Sequence, residues 1–232
     1  MKKFYFKCLQ FIGKFFLFSL LLISLLSAVL VGSLRWFDPP TSSFIKLYED
    51  SANRTVDIQW TPIDQIAWQL PVAVIASEDQ QFPNHFGFDW HQIKNAVEQY
   101  LDGDNLRGAS TISQQTIKNL FLFPDKTLSR KGIEAWLTFW LEITVPKKRI
   151  LEIYLNIAQF SKSSFGIGAA ADYYFGVSAQ HLSPMQSQLL ATCLPSPSWC
   201  QPKNPSAHTL KKVEWIATSM RQLGGKSVID KL

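Results

Sequence analysis

From Phe15 to Leu34 the chain reads FFLFSLLLISLLSAVLVGSL, 20 consecutive positions without a charged residue. As a helix rising about 1.5 Å per residue, that run reaches about 30 Å, the thickness of a hydrocarbon core. Whatever else the chain folds into must therefore sit beside a bilayer. Lys2, Lys3, Lys7 and Lys14 precede the run and only Arg35 follows closely, a bias that predicts a cytoplasmic N-terminus with the remainder outside. A cleaved signal peptide is the competing reading. The run outlasts the roughly 7–15-residue apolar region of such peptides and ends in no clear small-x-small site, which favours an uncleaved anchor.

The composition fits that division. A 232-residue chain that is 47% hydrophobic, 18% charged and of net charge +5 suits one folded domain plus an apolar extra segment. The expected organisation is a basic N-terminus over 1–14, an anchor over 15–34, a connector over 35–58 and one domain over 59–232. The connector, with Pro39-Pro40, reads as too irregular for a regular element. Its Phe44, Ile45, Leu47 and Tyr48 can rest on the bilayer or on the domain. Three cysteines exclude a disulfide framework. Cys8 would face the cytoplasm, whereas Cys193 and Cys200 would share an oxidising compartment; they are free to pair, or Cys193 is simply a small core residue. His85, His91, His181 and His208 show no metal-ligand spacing.

Beyond the connector the chain reads as mainly α. Pro71 suits the first turn of a helix that runs through the apolar stretch Val72–Ala76 and stops at two adjacent carboxylates, Glu78 and Asp79. Such a pair is costly to bury without partners, so it is either a solvated helix end or a site. Asp89 can cap the next helix, with Trp90, Ile93, Val97 and Tyr100 as its stripe, ending near Gly103 before a basic loop from Asn105 to Gly108. Thr111 and Gln114 fit a capping box. They start a helix whose amide groups and positive dipole end would be free to face an anion, with Gln114 and Lys118 on one face. In 127–145, Ile133, Trp136, Leu137, Trp140 and Leu141 stand at helical spacing, and Arg130 and Glu134 are an i, i+4 pair. On an exposed face that pair contributes about 0.3–0.5 kcal/mol and nothing more.

Pro146 breaks that helix and opens another, striped by Ile150, Ile153, Tyr154 and Ile157. Lys147, Lys148 and Arg149 crowd its first turn against the helix dipole, a local cost that makes sense beside an anionic ligand. Residues 166–176, GIGAAADYYFG, suit a tightly packed helix with a glycine stop and lack the lysine of a phosphate loop. Two more helices, over 183–193 and 208–223, complete the chain.

Taken in order, SEDQQFPNHFGFD, GASTISQQTIKNLFL, RKGIEAWLTFWLE and KKRILEIYLN resemble the successive motifs of the peptidoglycan glycosyltransferases, glycosyltransferase family 51. The likeness runs from about Trp60 to the C-terminus and, with no transpeptidase segment following, points to the monofunctional branch. It implies a lysozyme-like, two-lobed helical domain behind a single transmembrane helix. The implied reaction is inverting polymerisation of lipid II into β-1,4-linked glycan with release of polyprenyl diphosphate. By motif, Glu78 is the general base and Asp79 its support or a metal contact. Ser110, Thr111, Gln114, Gln115 and Lys118 surround the donor's diphosphate and sugar. Glu134 assists on the diphosphate side, and Arg130 and Lys147 match phosphate-binding positions.

Pro146 and Gln186 stand where relatives commonly carry serine and glutamate. No cofactor is required, although a divalent cation, magnesium or manganese, would suit the diphosphate. The implied partners are lipid II with its growing glycan strand, the bilayer of the inner membrane and other cell-wall synthesis or division proteins, with nothing that points to nucleic acid. A lysozyme-like glycan hydrolase would share the helices and an acidic residue but have less need of the cations or the anchor. An inactive membrane-bound scaffold would be expected to lose Glu78 or Glu134.

Overall fold

The structure, a computed structural model, describes residues 2–102, 110–125 and 127–232, without the side chains of residues 2–4, 7–9 and 100. The basic loop expected at 105–108 lies outside those residues, while the helix expected to end near Asp102-Gly103 has its last residue at Leu101. Among the described residues every regular element is helical, apart from one isolated bridge between Gln159 and Phe165. The mainly α expectation and its N-terminal apolar helix are both met.

Helix α1 (Lys2–Gly32) extends the predicted anchor at its N-terminal side, and the stretch long and apolar enough to cross a membrane runs from Gln10 to Arg35. It leans along α6 (Leu128–Thr144). Trp136 Nε1 donates to Ser27 Oγ at 3.1 Å, and Gly32 lies so close to Thr144 that an added Cβ would meet its side chain at 3.4 Å. The α6 stripe is accordingly divided. Leu137 and Leu141 are buried, while Ile133 and Trp136 remain at the surface beside α1.

The connector is more ordered than its composition suggested. It holds α2 (Ser43–Ala52), because Ser42 caps it by accepting from the Ile45 amide and Asn53 takes the left-handed conformation that ends it. Ile45 is buried and Tyr48 lies 5.3 Å from Phe165, so this face meets the domain, with Leu47 left exposed. Below it, Arg149 ties the exit of α1 to the domain by donating to Leu34 O, Phe37 O and Asp38.

Two groups of helices follow. The first is built on α3 (Gln69–Glu78), whose residues Leu70 to Ala76 are all buried, as an all-round apolar helix must be. It packs on α9 (Pro184–Cys193) and α10 (Ala207–Gln222), with the short α11 (Ser227–Asp230) beneath. The second group sets α5 (Ile112–Phe121) against α6 and α7 (Lys147–Ile157), whose Ile150, Ile153, Tyr154 and Ile157 are buried as their spacing predicts. Helix α4 (Trp90–Leu101) lies outside both, and its expected stripe is not core, since Trp90 and Val97 are exposed and Ile93 is only half-buried. Helix α8 (Ile167–Phe175) ends on Gly176 in the left-handed conformation. Cys193 and Cys200 form a disulfide with Cα atoms 5.0 Å apart, so the more economical reading of Cys193 as a plain core residue gives way. Gln186 completes a capping box with Ser183, which gives that position a local structural role.

Candidate active site

The two groups meet where α3 ends and α5 begins. Glu78 is the last residue of α3 and lines a cleft of about 340 Å³ together with Ser77, Gln80, Asp89, Ser110 and Trp215. Burial pushes its carboxyl above the ordinary glutamate range. A hydrogen bond from Gln115 Nε2 at 3.1 Å and the charges of Lys212 and Lys118 pull it back, and the Asp79 charge adds to the rise. A carboxylate partly stripped of water and only lightly compensated is what a general base needs.

Asp79 has a different task. As the C-cap of α3 it accepts from His85 Nε2 at 2.9 Å and from the Ile112 amide at 2.9 Å, at the first residue of α5. The free positive end foreseen for α5 is thus taken by the chain's own anion. The capping box is present and consumes two more residues. Thr111 and Gln114, both buried, cap each other, and Thr111 Oγ1 also donates to Gly87 O at 2.7 Å. These side chains brace the cleft, although Thr111 still touches it.

Glu134 is not the surface partner that its spacing allowed. It is buried on α6 and accepts from Arg130 Nη1 at 2.6 Å and from Lys131, whose Nζ also lies 3.3 Å from Ser110 Oγ. Arg130 Nε is buried with no partner among the described groups, which leaves a donor unused. Between the two glutamates stands Lys118 on α5, whose charge interacts with both. It makes no ion pair among the described residues and rests 5.6 Å from the Phe44 ring. Burial lowers its pKa, against the pull of Glu134.

The cations at the start of α7 are less free than expected. Lys148 pairs with Asp64 and Arg149 with Asp38 and Glu152. Lys147 pairs at 2.8 Å with Glu142, which also accepts from buried Ser113, and lies over the Phe82 ring at 4.4 Å. The dipole cost at this helix start is therefore offset by carboxylates of the chain itself. Sequence reasoning missed Lys131, His85, Glu142 and the hydroxyl of Tyr154. Only Lys131 had a local signal, three residues before Glu134.

Of the expected site residues, Glu78, Asp79, Ser110 and Thr111 line this cleft, while Gln115 and Lys118 line a second cavity with Phe44 and Tyr154; Arg130 and Glu134 connect to Ser110 through Lys131, and Gln114 and Lys147 are held in the chain's own cap and ion pair. Among the described residues no group of three or more His, Cys, Asp or Glu side chains converges on a metal position.

Known proteins share this chain's pattern. A family model described as Transglycosylase matches residues 46–221, beginning within α2. A biosynthetic peptidoglycan transglycosylase of Chromohalobacter salexigens is 49% identical over 178 residues, covering 77% of this chain and 76% of the relative. Proteins of the same description from Marinomonas sp. and Xylella fastidiosa are 46% and 42% identical, covering 86% and 91% of this chain and 87% and 91% of their own lengths. With a family model over most of its length and relatives this similar, the chain belongs to the transglycosylase family.

Proposed function

We propose that this chain is a peptidoglycan glycosyltransferase that polymerises lipid II into β-1,4-linked glycan strands with inversion, releasing polyprenyl diphosphate. The observation that carries the reading is Lys118, a largely buried ammonium without an ion pair among the described residues, whose charge interacts with a lightly compensated glutamate and with a clamped one. A buried unpaired cation invites an anion, and the leaving diphosphate is that anion.

The two glutamates divide the labour by their surroundings. Glu134 is held by two cations and serves to aim Arg130 and Lys131. Glu78, with one amide donor, takes the proton from the 4-hydroxyl of the acceptor sugar. The freed oxygen forms the bond to the anomeric carbon of the donor, the bond from that carbon to the diphosphate oxygen breaks, and the electron pair leaves with the diphosphate. Lys118, Arg130 and Lys131 meet the charge that develops there, with Ser110 beside them and Gln115 steadying the base. Because Asp79 spends its oxygens on His85 and Ile112, no step is routed through a protein-held metal; magnesium or manganese would ride on the substrate's phosphates.

The apolar helix α1 anchors the enzyme, and Lys2, Lys3 and Lys7 ahead of its span, with Lys14 in its first turns, support an inner-membrane placement with the N-terminus cytoplasmic and the domain periplasmic. The test is full-length protein in detergent with lipid II, followed by separation of the glycan products. Polymer is expected from the parent and none from Glu78→Gln, which should still bind lipid II. Polymerisation by that variant at the parent rate sinks the base assignment; cleavage of preformed strands alone would mark a hydrolase, and no activity a scaffold.

A further inference from the structure

We infer that Tyr154 is a positioning residue for the base, its hydroxyl fixing Gln115 so that the Gln115 amide fixes Glu78. This rests on the reading of Glu78 given above. Tyr154 sits in the middle of α7 among Ile150, Ile153 and Ile157, where hydrocarbon alone would fill the space. A hydroxyl there is a cost unless it is bonded, and its Oη donates to Gln115 Oε1 at 3.0 Å.

The bond determines more than its own two atoms. With Oε1 occupied, the Gln115 Nε2 group faces the other way and donates to Glu78 Oε2 at 3.1 Å and to Ser110 O at 3.4 Å. The amide is thereby held at three points. Among the described residues it is the one hydrogen-bond partner of the Glu78 side chain. Glu78 ends α3, Gln115 belongs to α5 and Tyr154 to α7, so the relay crosses from one group of helices to the other at the cleft. Burial holds the Tyr154 hydroxyl well above the ordinary tyrosine value, so it remains a donor throughout the working range.

Tyr154→Phe keeps the ring and removes only the donor. Gln115 Oε1 then lacks its partner, the amide is free to turn or drift, and Glu78 loses its fixed direction. Because the Tyr154 side chain is buried and its hydroxyl is spent on Gln115, the expected result is a fall in kcat of about tenfold with KM for lipid II within about twofold of the parent. The second reading is a double-variant comparison. If Tyr154 acts through Gln115, then Tyr154→Phe added to Gln115→Ala produces no further loss.

The measurements use full-length protein in detergent, with Glu78→Gln run alongside. Parental kcat in Tyr154→Phe, full additivity with Gln115→Ala, or a raised KM at unchanged kcat would each overturn the relay. If Glu78→Gln is inactive while Tyr154→Phe is parental, the relay alone fails; if Glu78→Gln is active, the base assignment fails first. Should Tyr154→Phe not fold, Gln115→Met poses the same question with an isosteric side chain lacking the amide. The relay predicts the same selective loss of kcat, and a parental kcat refutes it.

Discussion

The buried trio of Ser113, Glu142 and Lys147 makes the most quantitative test of how the cleft is supported. The Glu142 side chain is 2% exposed and that of Lys147 17%, with 2.8 Å between them. Lys147→Met keeps the length of the stem over Phe82 and removes the charge, leaving Glu142 with the Ser113 hydroxyl alone. Removing one partner of a buried pair costs about 3–5 kcal/mol, and the residual exposure of Lys147 argues for the lower end, about 3 kcal/mol. For a domain of this size that lowers Tm by roughly 6–12 °C. The assay is thermal unfolding in detergent followed by tryptophan fluorescence. Adding Glu142→Gln should restore most of the loss, because a neutral amide still accepts from Ser113 and no charge is left stranded. A single variant that melts with the parent would refute the argument, and so would a double variant that melts no higher than the single. The polymerisation rate of the restored double variant then isolates what Lys147 contributes to substrate.

Further outcomes concern Glu78, the disulfide and two glycines. Because burial raises the Glu78 carboxyl above the ordinary 4.5 and the base must be ionised, activity should rise with pH through that elevated value, and Gln115→Ala, which removes a donor to the carboxylate, should move the limb higher. The sign for stability is opposite: a pKa raised by folding stabilises below the unfolded value and is lost as pH rises through the folded one, so at neutral pH Glu78→Gln should melt at or above the parent temperature. Reducing the Cys193–Cys200 bond, or replacing both residues by serine, should lower stability by about 2–3 kcal/mol for so short a loop, read as a lower Tm with a thiol reductant. Gly87→Ala should cost about 3 kcal/mol, since φ is +77° and the new Cβ would stand 2.9 Å from Glu142 and Thr138 side chains; Gly132→Ala, with nothing within 4 Å on α6, should instead raise Tm.

The features legible in the sequence were those whose partners lie within a turn or two of one another. The Thr111–Gln114 box, the Asp89 cap, the Pro146 break and the Gly176 stop all depend on residues at most a few positions apart. Tertiary pairing carries no such period. Ser113 meets Glu142 across 29 positions, Glu78 meets Gln115 across 37 and Tyr154 meets Gln115 across 39, so the chain's order alone could place none of them. Helix α2 was illegible for a related reason: its cap is a serine among serines, and its apolar face is completed only by Phe165 and α5, far along the chain.

The start of α5 meets an anion, as its capping pattern predicts, and that anion is one of the chain's own. A helix N-terminus attracts an anion, and the motif resemblance supplied a diphosphate; the fold supplies Asp79 instead, one residue after the base, together with His85. An anion already bonded to the first amide of the helix leaves that end little attraction for a second. On the proposed reading the pull on the leaving group comes from side-chain cations, and Lys118, Arg130 and Lys131 are the ones whose charges meet Glu134. Asp79 gains a clear purpose from this, since it locks the end of α3 to the start of α5 and so fixes the distance between the base and those cations. Loss of Asp79 should therefore act on kcat through the geometry of the cleft, whereas loss of Lys118 should weaken the hold on the diphosphate itself.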